Sequence, residues 1–75
     1  MRVAADTAIL AYLAARTSAS ASAIGTACGL APGEVRSRLA HLGSLRHVTD
    51  RQDGHARPPG RVFLITAEGR RRIEA

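Results

Sequence analysis

Gly29 and Pro32 stand three residues apart between two stretches that read as helix, and this spacing restricts the chain more than any other feature. A glycine just past a helix end takes the left-handed conformation that closes the last turn without a Cβ clash. A proline is well placed in the first turn of the next helix, where its missing N–H has no partner to lose. One short helix therefore runs from about Ala21 to Cys28 with Ser20 as its cap, Leu30 supplies an apolar contact beyond Gly29, and another helix starts at Pro32. In that later helix Val35, Leu39 and Leu42 recur at i, i+4 and i+7, which makes one inward-facing stripe. The two helices are joined by a tight turn.

Around this pair the pattern is helix before and hairpin after. Asp6 is a plausible N-cap for a first helix in which Ile9, Leu10 and Leu13 are interleaved with alanines, ending near Arg16. The Ser- and Thr-rich stretch Thr17–Ser22 breaks it. After Gly43 the pattern becomes extended: Leu45–Thr49 reads as a weak strand and Arg61–Thr66 as a better one, with Val62, Phe63, Leu64 and Ile65 in a β-prone run. Between them Asp50–Gly60 holds Asp-Gly and Pro-Pro-Gly turn signals and reads as a long hairpin tip. Thr66 caps a last helix, Ala67–Glu74, weakened by Gly69 and made basic by Arg70, Arg71 and Arg72. With no repeat or linker, residues 1–75 read as one domain.

Composition adds two constraints. Much of the 45% hydrophobic share is alanine, with one Phe, one Tyr and no Trp, so the core is small and its helices pack closely. The net charge of +5 lies wholly in the second half, where nine arginines in residues 36–75 face four acids. Clustered positive charge favours a polyanionic partner, because neutralised phosphates release condensed counterions. No apolar run reaches the roughly 18 residues of a membrane span, and no signal sequence opens the chain, so a soluble cytoplasmic, nucleoid-associated protein is expected. Cys28 has no disulfide partner in the chain and reads as a small buried hydrophobe.

Three helices with a tight turn, a hairpin and a closing helix follow the order of a winged helix-turn-helix, an α+β fold. Ser20–Leu42, reading SASAIGTACGLAPGEVRSRLAHL, resembles the second and recognition helices of MarR-like bacterial winged-helix regulators. Val48–Ala75 resembles their wing and following helix, above all in the Leu-Ile-Thr-Ala-Glu-Gly segment at 64–69. The resemblance covers about two thirds of the chain. It implies a transcriptional regulator, repressor-like, that binds double-stranded DNA. One departure is clear: a glycine common just before the first wing strand would fall at Arg46. The helices that build the dimer and ligand pocket of MarR-type proteins lie outside the matched core, so no small-molecule ligand is assigned.

Projecting the third helix at 100° per residue puts Gly33, Ser37, Ala40 and His41 opposite the apolar stripe, with Arg36 on one flank. On the DNA-binding reading, small residues allow close approach to the major groove, Arg36 pairs bidentately with guanine, Ser37 meets base or phosphate, and Ala40 touches a thymine methyl. Arg38 either pairs with Glu34 four residues before it or contacts a flanking phosphate. Ser20 and Ser22 present the start of the second helix to a phosphate, or simply cap it. Arg51, His55, Arg57 and Arg61 flank the wing tip, with Arg57 the foremost tip contact. Arg70–Arg72 form a solvated face by default.

The six dispersed acids assemble no catalytic pair, and Cys28, His41, His47 and His55 have no zinc spacing, so neither an enzyme nor a metal or cofactor site is expected. A homodimer on two half-sites is expected, because one module of this size makes a small interface. The main alternative is a winged helix used for protein contact or dimerisation. A lesser one is left-handed duplex recognition: Pro58, Pro59 and Phe63 faintly resemble the wing of Z-form-binding domains, whose recognition helix uses Asn and Tyr where this chain has Arg36 and Ala40.

Overall fold

A computed structural model describes residues 4–55 and 60–74. In chain order the elements are α1 (Ala5–Ala14), β1 (Ala19–Ser20), α2 (Ala21–Cys28), α3 (Pro32–Ser44), β2 (Val48–Asp53), β3 (Gly60–Ile65) and α4 (Ala67–Glu74). The fold is α+β, with the helices and hairpin in the order expected of a winged helix-turn-helix. Ile9, Leu10 and Leu13 of α1, Ile24 of α2, and Val35, Leu39 and Leu42 of α3 form the core with Ala19 and Val48.

The helix–turn–helix segment is built as its sequence dictates. Ser20 Oγ accepts from the Ala23 N–H at 3.1 Å, the cap of α2. Gly29 has φ +68°, and both its N–H and that of Leu30 reach the Gly25 carbonyl. Pro32 occupies the first turn of α3, and the stripe Val35, Leu39, Leu42 is buried. At the other end, Thr66 Oγ1 accepts from the Gly69 N–H at 3.1 Å and caps α4, as expected.

Four boundaries differ from the sequence expectation, each for a physical reason. Asp6 does not cap α1: the N-cap is Ala4, which has no side-chain bond, and Asp6 lies in the first turn and is buried. It sits three, four and seven residues before Ile9, Leu10 and Leu13, so the helical period carries it onto the same inward face. The helix also ends at Ala14 rather than near Arg16.

β1 was not foreseen. Its two residues pair antiparallel with β3, Ala19 opposite Phe63 and Ser20 opposite Val62. A two-residue strand carries no alternation to detect. It makes β3 the central strand of a sheet ordered β1-β3-β2.

The first wing strand lies later than Leu45–Thr49. α3 continues through Gly43 to Ser44, and Leu45 is its C-cap. The His47 N–H then bonds the Leu42 carbonyl and the Arg46 N–H the Gly43 carbonyl, both at 3.0 Å. This is a Schellman closure, with Arg46 at the left-handed position, φ +61°. The strand therefore starts at Val48.

Finally, Asp50–Asp53 is strand rather than loop, and β3 runs from Gly60 to Ile65. The β2–β3 ladder extends from Val48 opposite Ile65 to Asp53 opposite Gly60. β2 is an edge strand with only Val48 buried, so backbone pairing to β3 defines it and its side chains do not. Among the described residues no helix is long and apolar enough to cross a membrane.

Candidate nucleic-acid interface

The inward stripe of α3 fixes which side chains face outward. Gly33, Arg36, Ser37, Ala40 and His41 are all exposed, as the helical projection requires. Arg36 stands where two surface grooves meet. One, of about 580 Å³, lies between α2 and the start of α3 and is bounded by Ser22, Thr26, Leu30, Pro32 and Arg36. The other, of about 300 Å³, lies between α3 and the sheet and is bounded by Arg36, Ala40, Gly43, Asp50, Arg61 and Phe63. A planar guanidinium with five donors at this junction is placed to address a polyanion lying along either groove.

The wing residues separate by strand register. Arg61 is opposite Gln52, and Arg51 is opposite Val62, so the alternation of a strand puts Arg51 and Arg61 on opposite faces of the hairpin. Arg61 is on the face turned to α3, where its Nη1 donates to Asp50 Oδ2 at 2.7 Å. Both partners are exposed, so the pair orients the guanidinium more than it stabilises the fold. At the tip the His55 N–H donates to Asp53 Oδ1 at 2.9 Å, which leaves the imidazole exposed beside a tight turn. Arg57 lies outside the described residues. Ser20 serves as the α2 cap, while Ser22, one turn-position on, is exposed and borders the larger groove.

Arg38 and His41, though exposed, both lie near a carboxylate on another helix. Arg38 forms no ion pair with Glu34; its Nη1 lies 3.9 Å from Asp6 Oδ1, and His41 Nε2 lies 3.9 Å from Asp6 Oδ2. Arg72 of α4 joins them, its Nη2 3.8 Å from the same Oδ2. The buried carboxylate on the inward face of α1 draws in exposed arginines from two other helices, with the His41 ring beside them. Asp6 Oδ1 has no hydrogen-bond partner, so these are charge contacts rather than hydrogen bonds. Arg72 Nη1 also lies 3.3 Å from His47 Nδ1, and Arg70 Nη1 donates to the Ala14 carbonyl at 3.4 Å, where a cation suits the end of α1. The three consecutive arginines are exposed, as a solvated face requires, and two of them also reach back onto the fold.

Two helices joined by a tight turn, the second exposed along one side, with a three-stranded sheet whose hairpin flanks that exposed side, decide the architecture. It is a winged helix. Three solved structures share this winged-helix fold at TM-score 0.83. Bordetella bronchiseptica BpsR, whose DNA binding is regulated by 6-hydroxynicotinic acid, is 19% identical over 96% of this chain and 50% of that one. The MarR family transcription regulator SP03579 is 22% identical over 97% of this chain and 48% of that one. The zinc-responsive MarR family member ZitR of Lactococcus lactis is 15% identical over 99% of this chain and 50% of that one. The present winged helix thus spans about half the length of each of these proteins. No protein-family model matches its sequence, and no curated protein does.

Within the winged helix, sequence reasoning named Arg38 and His41 but missed Asp6, the carboxylate they share with Arg72. The available signal was the position of Asp6 on the Ile9–Leu10–Leu13 stripe, which the reading of Asp6 as a cap obscured. Asp50 was also missed as the partner that orients Arg61, because it was assigned to the loop. Cys28 behaves as a small apolar residue: it is half-buried against the core, and burial pushes its thiol up from the ordinary value. Among the described residues no three of His, Cys, Asp and Glu gather as a metal site would need.

Proposed function

We propose that this winged helix binds double-stranded DNA as a sequence-reading, repressor-like transcriptional regulator, with α3 in the major groove and the hairpin wing on the adjacent backbone or minor groove. The observation that carries this reading is the outward face of α3: small or short polar residues, Gly33, Ser37 and Ala40, flanked by Arg36 at the junction of two grooves. Small residues allow the helix to approach base edges, and Arg36 supplies a bidentate contact to guanine. Ser37 bonds a base or phosphate, and Ala40 meets a thymine methyl. Ser20 and Ser22 bring the amide end of α2 to a phosphate. Arg61 grips from the α3 side of the wing and Arg51 from its other face, with His55 and Arg57 at the tip. The regulators named above, which share the fold, support the same reading.

The functional unit in this proposal is a homodimer of one winged domain over residues 1–75, cytoplasmic and associated with the nucleoid, with no catalytic activity and no cofactor. Two half-sites about one helical turn apart raise both affinity and specificity. Selection of bound sequences from a random duplex pool tests it, and an enriched palindrome is expected. On the selected site Arg36→Ala is expected to cost about 1–3 kcal/mol and to relax one base position, with a much smaller loss on random duplex. Equal losses on both, with the preferred base unchanged, would place Arg36 on the backbone instead. Failure of the wild-type chain to bind any duplex at low salt would leave protein contact as the function of the fold.

A further inference from the structure

Among the described residues, the Asp6 junction is the place where the proposed DNA-binding helix is tied to the rest of the molecule by charge. Asp6 is nearly buried, its side chain 11% exposed, whereas the side chains of Arg38 and His41 are 47% and 56% exposed. Arg38 and the His41 ring both project from α3, and Arg72 reaches the same carboxylate from α4. None of the three is locked. They lie 3.8–3.9 Å from the carboxylate oxygens, beyond ordinary hydrogen-bond length, and Oδ1 has no hydrogen bond at all. A buried carboxylate with an open lone pair holds exposed cations by Coulomb attraction alone. DNA phosphate offers those cations the same charge with better hydrogen bonds.

We propose that Asp6 is an internal counter-ion that competes with DNA phosphate for Arg38 and His41, and so sets how strongly α3 grips any duplex. This inference rests on the DNA-binding reading and deepens it. In the free protein the carboxylate keeps the Arg38 guanidinium, with the His41 ring beside it, against α1. On the duplex they turn to the backbone, and Asp6 keeps Arg72, which also touches His47. Each transfer leaves the carboxylate less compensated, so Asp6 weakens binding to every sequence alike. It thereby widens the relative contribution of base readout by Arg36. Asp6 is a positioning residue, since it touches no DNA itself.

The test measures affinity for random and selected duplex across a salt series with wild type, Asp6→Asn and Arg38→Gln. Asn keeps the shape of Asp6 and removes its charge. Asp6→Asn is expected to bind both duplexes more tightly, on the order of fivefold, with log affinity falling more steeply with log salt. Arg38→Gln alters an exposed side chain that is not part of the core, and so reports even where Asp6→Asn disturbs folding. Its salt slope is expected to be shallower by about 0.9, the loss of one phosphate contact, with weaker binding on both duplexes. An Asp6→Asn protein that is folded by circular dichroism yet unchanged or weaker in affinity overturns the inference. So does an Arg38→Gln salt slope equal to that of wild type, because a purely structural Arg38 moves stability and leaves the slope alone. A wild-type protein that binds no duplex overturns the DNA-binding reading and this inference together. Wild-type binding with unchanged variants overturns this inference only.

Discussion

In the helical half of the molecule seven aliphatic side chains, from Ile9 to Leu42, are almost wholly buried, whereas among the described residues the hairpin contributes only Val48 and Val62 to the buried set and α4 contributes no side chain. Phe63, Ile65 and Ile73 are half-buried against that core. The second half is instead fastened by polar and backbone contacts. Thr66 Oγ1 donates to the Arg46 carbonyl at 2.6 Å, the Thr66 N–H bonds the His47 carbonyl at 3.0 Å, and Arg70 and Arg72 reach back to α1. The difference follows from what each half has to face. Helices that meet one another bury apolar area, at roughly 25 cal/mol per Å². The hairpin keeps its side chains largely exposed, and its register comes from the ladder with β3.

The contrast is sharpest in two substitutions. Leu42→Ala removes a fully buried side chain at the centre of the helical half and is expected to cost about 2–5 kcal/mol, measured by denaturant unfolding. For a chain this short that is a large share of the total stability. A cost under about 1 kcal/mol would erase the distinction between the halves. In the second half the tightest constraint is steric. Gly69 lies so close to the start of the wing that a Cβ there would run into the His47 carbonyl oxygen and the Ile65 side chain. The oxygen is backbone and already accepts from Thr66, so it has little freedom to move. Gly69→Ala is expected to cost about 1–3 kcal/mol and to loosen α4 specifically, seen as faster amide exchange there than in α1–α3. Uniform loss of protection across the chain would show that the two halves unfold as one.

Legibility in the sequence divides along the same line. The α2–turn–α3 segment was readable nearly to the residue, because capping by Ser20, the left-handed Gly29, the first-turn Pro32 and the Val35–Leu39–Leu42 stripe are local effects that act on their own neighbours. The outward face of α3 followed from the stripe by geometry. The extent of β2 was not readable, because Asp50–Asp53 is strand only through its partner, and partners distant in sequence leave no local mark. For the same reason β1 was invisible, and neither reading of Arg38, a pair with Glu34 or a phosphate contact, included Asp6, its charge partner on another helix. The fold class survived these errors since burial in the helical half and turn chemistry between the elements both pointed to it. Side-chain partners were less legible, as long side chains choose them in three dimensions.

The smallest expected effect concerns the residue that joins the halves. Arg46 closes α3 in the left-handed region at φ +61°, where a side chain crowds its own backbone and a glycine does not. The Schellman bonds of Arg46 and His47 to Gly43 and Leu42, together with the Thr66 hydroxyl on the Arg46 carbonyl, hold the chain there despite the strain. All three contacts use backbone atoms of residues 46 and 47, so they persist when the Arg46 side chain is removed. Arg46→Gly therefore relieves the steric cost, of order 1–2 kcal/mol, and loses part of the gain to the greater freedom of glycine in the unfolded chain. A net stabilisation of about 0.5–1 kcal/mol is expected, or roughly 3–6 °C in Tm for a domain of this size. Differential scanning calorimetry of the two proteins at one salt concentration decides it. A lower Tm for the glycine variant would mean that the exposed Arg46 side chain contributes more than its backbone geometry costs, and that the junction is held from the surface as well as from within.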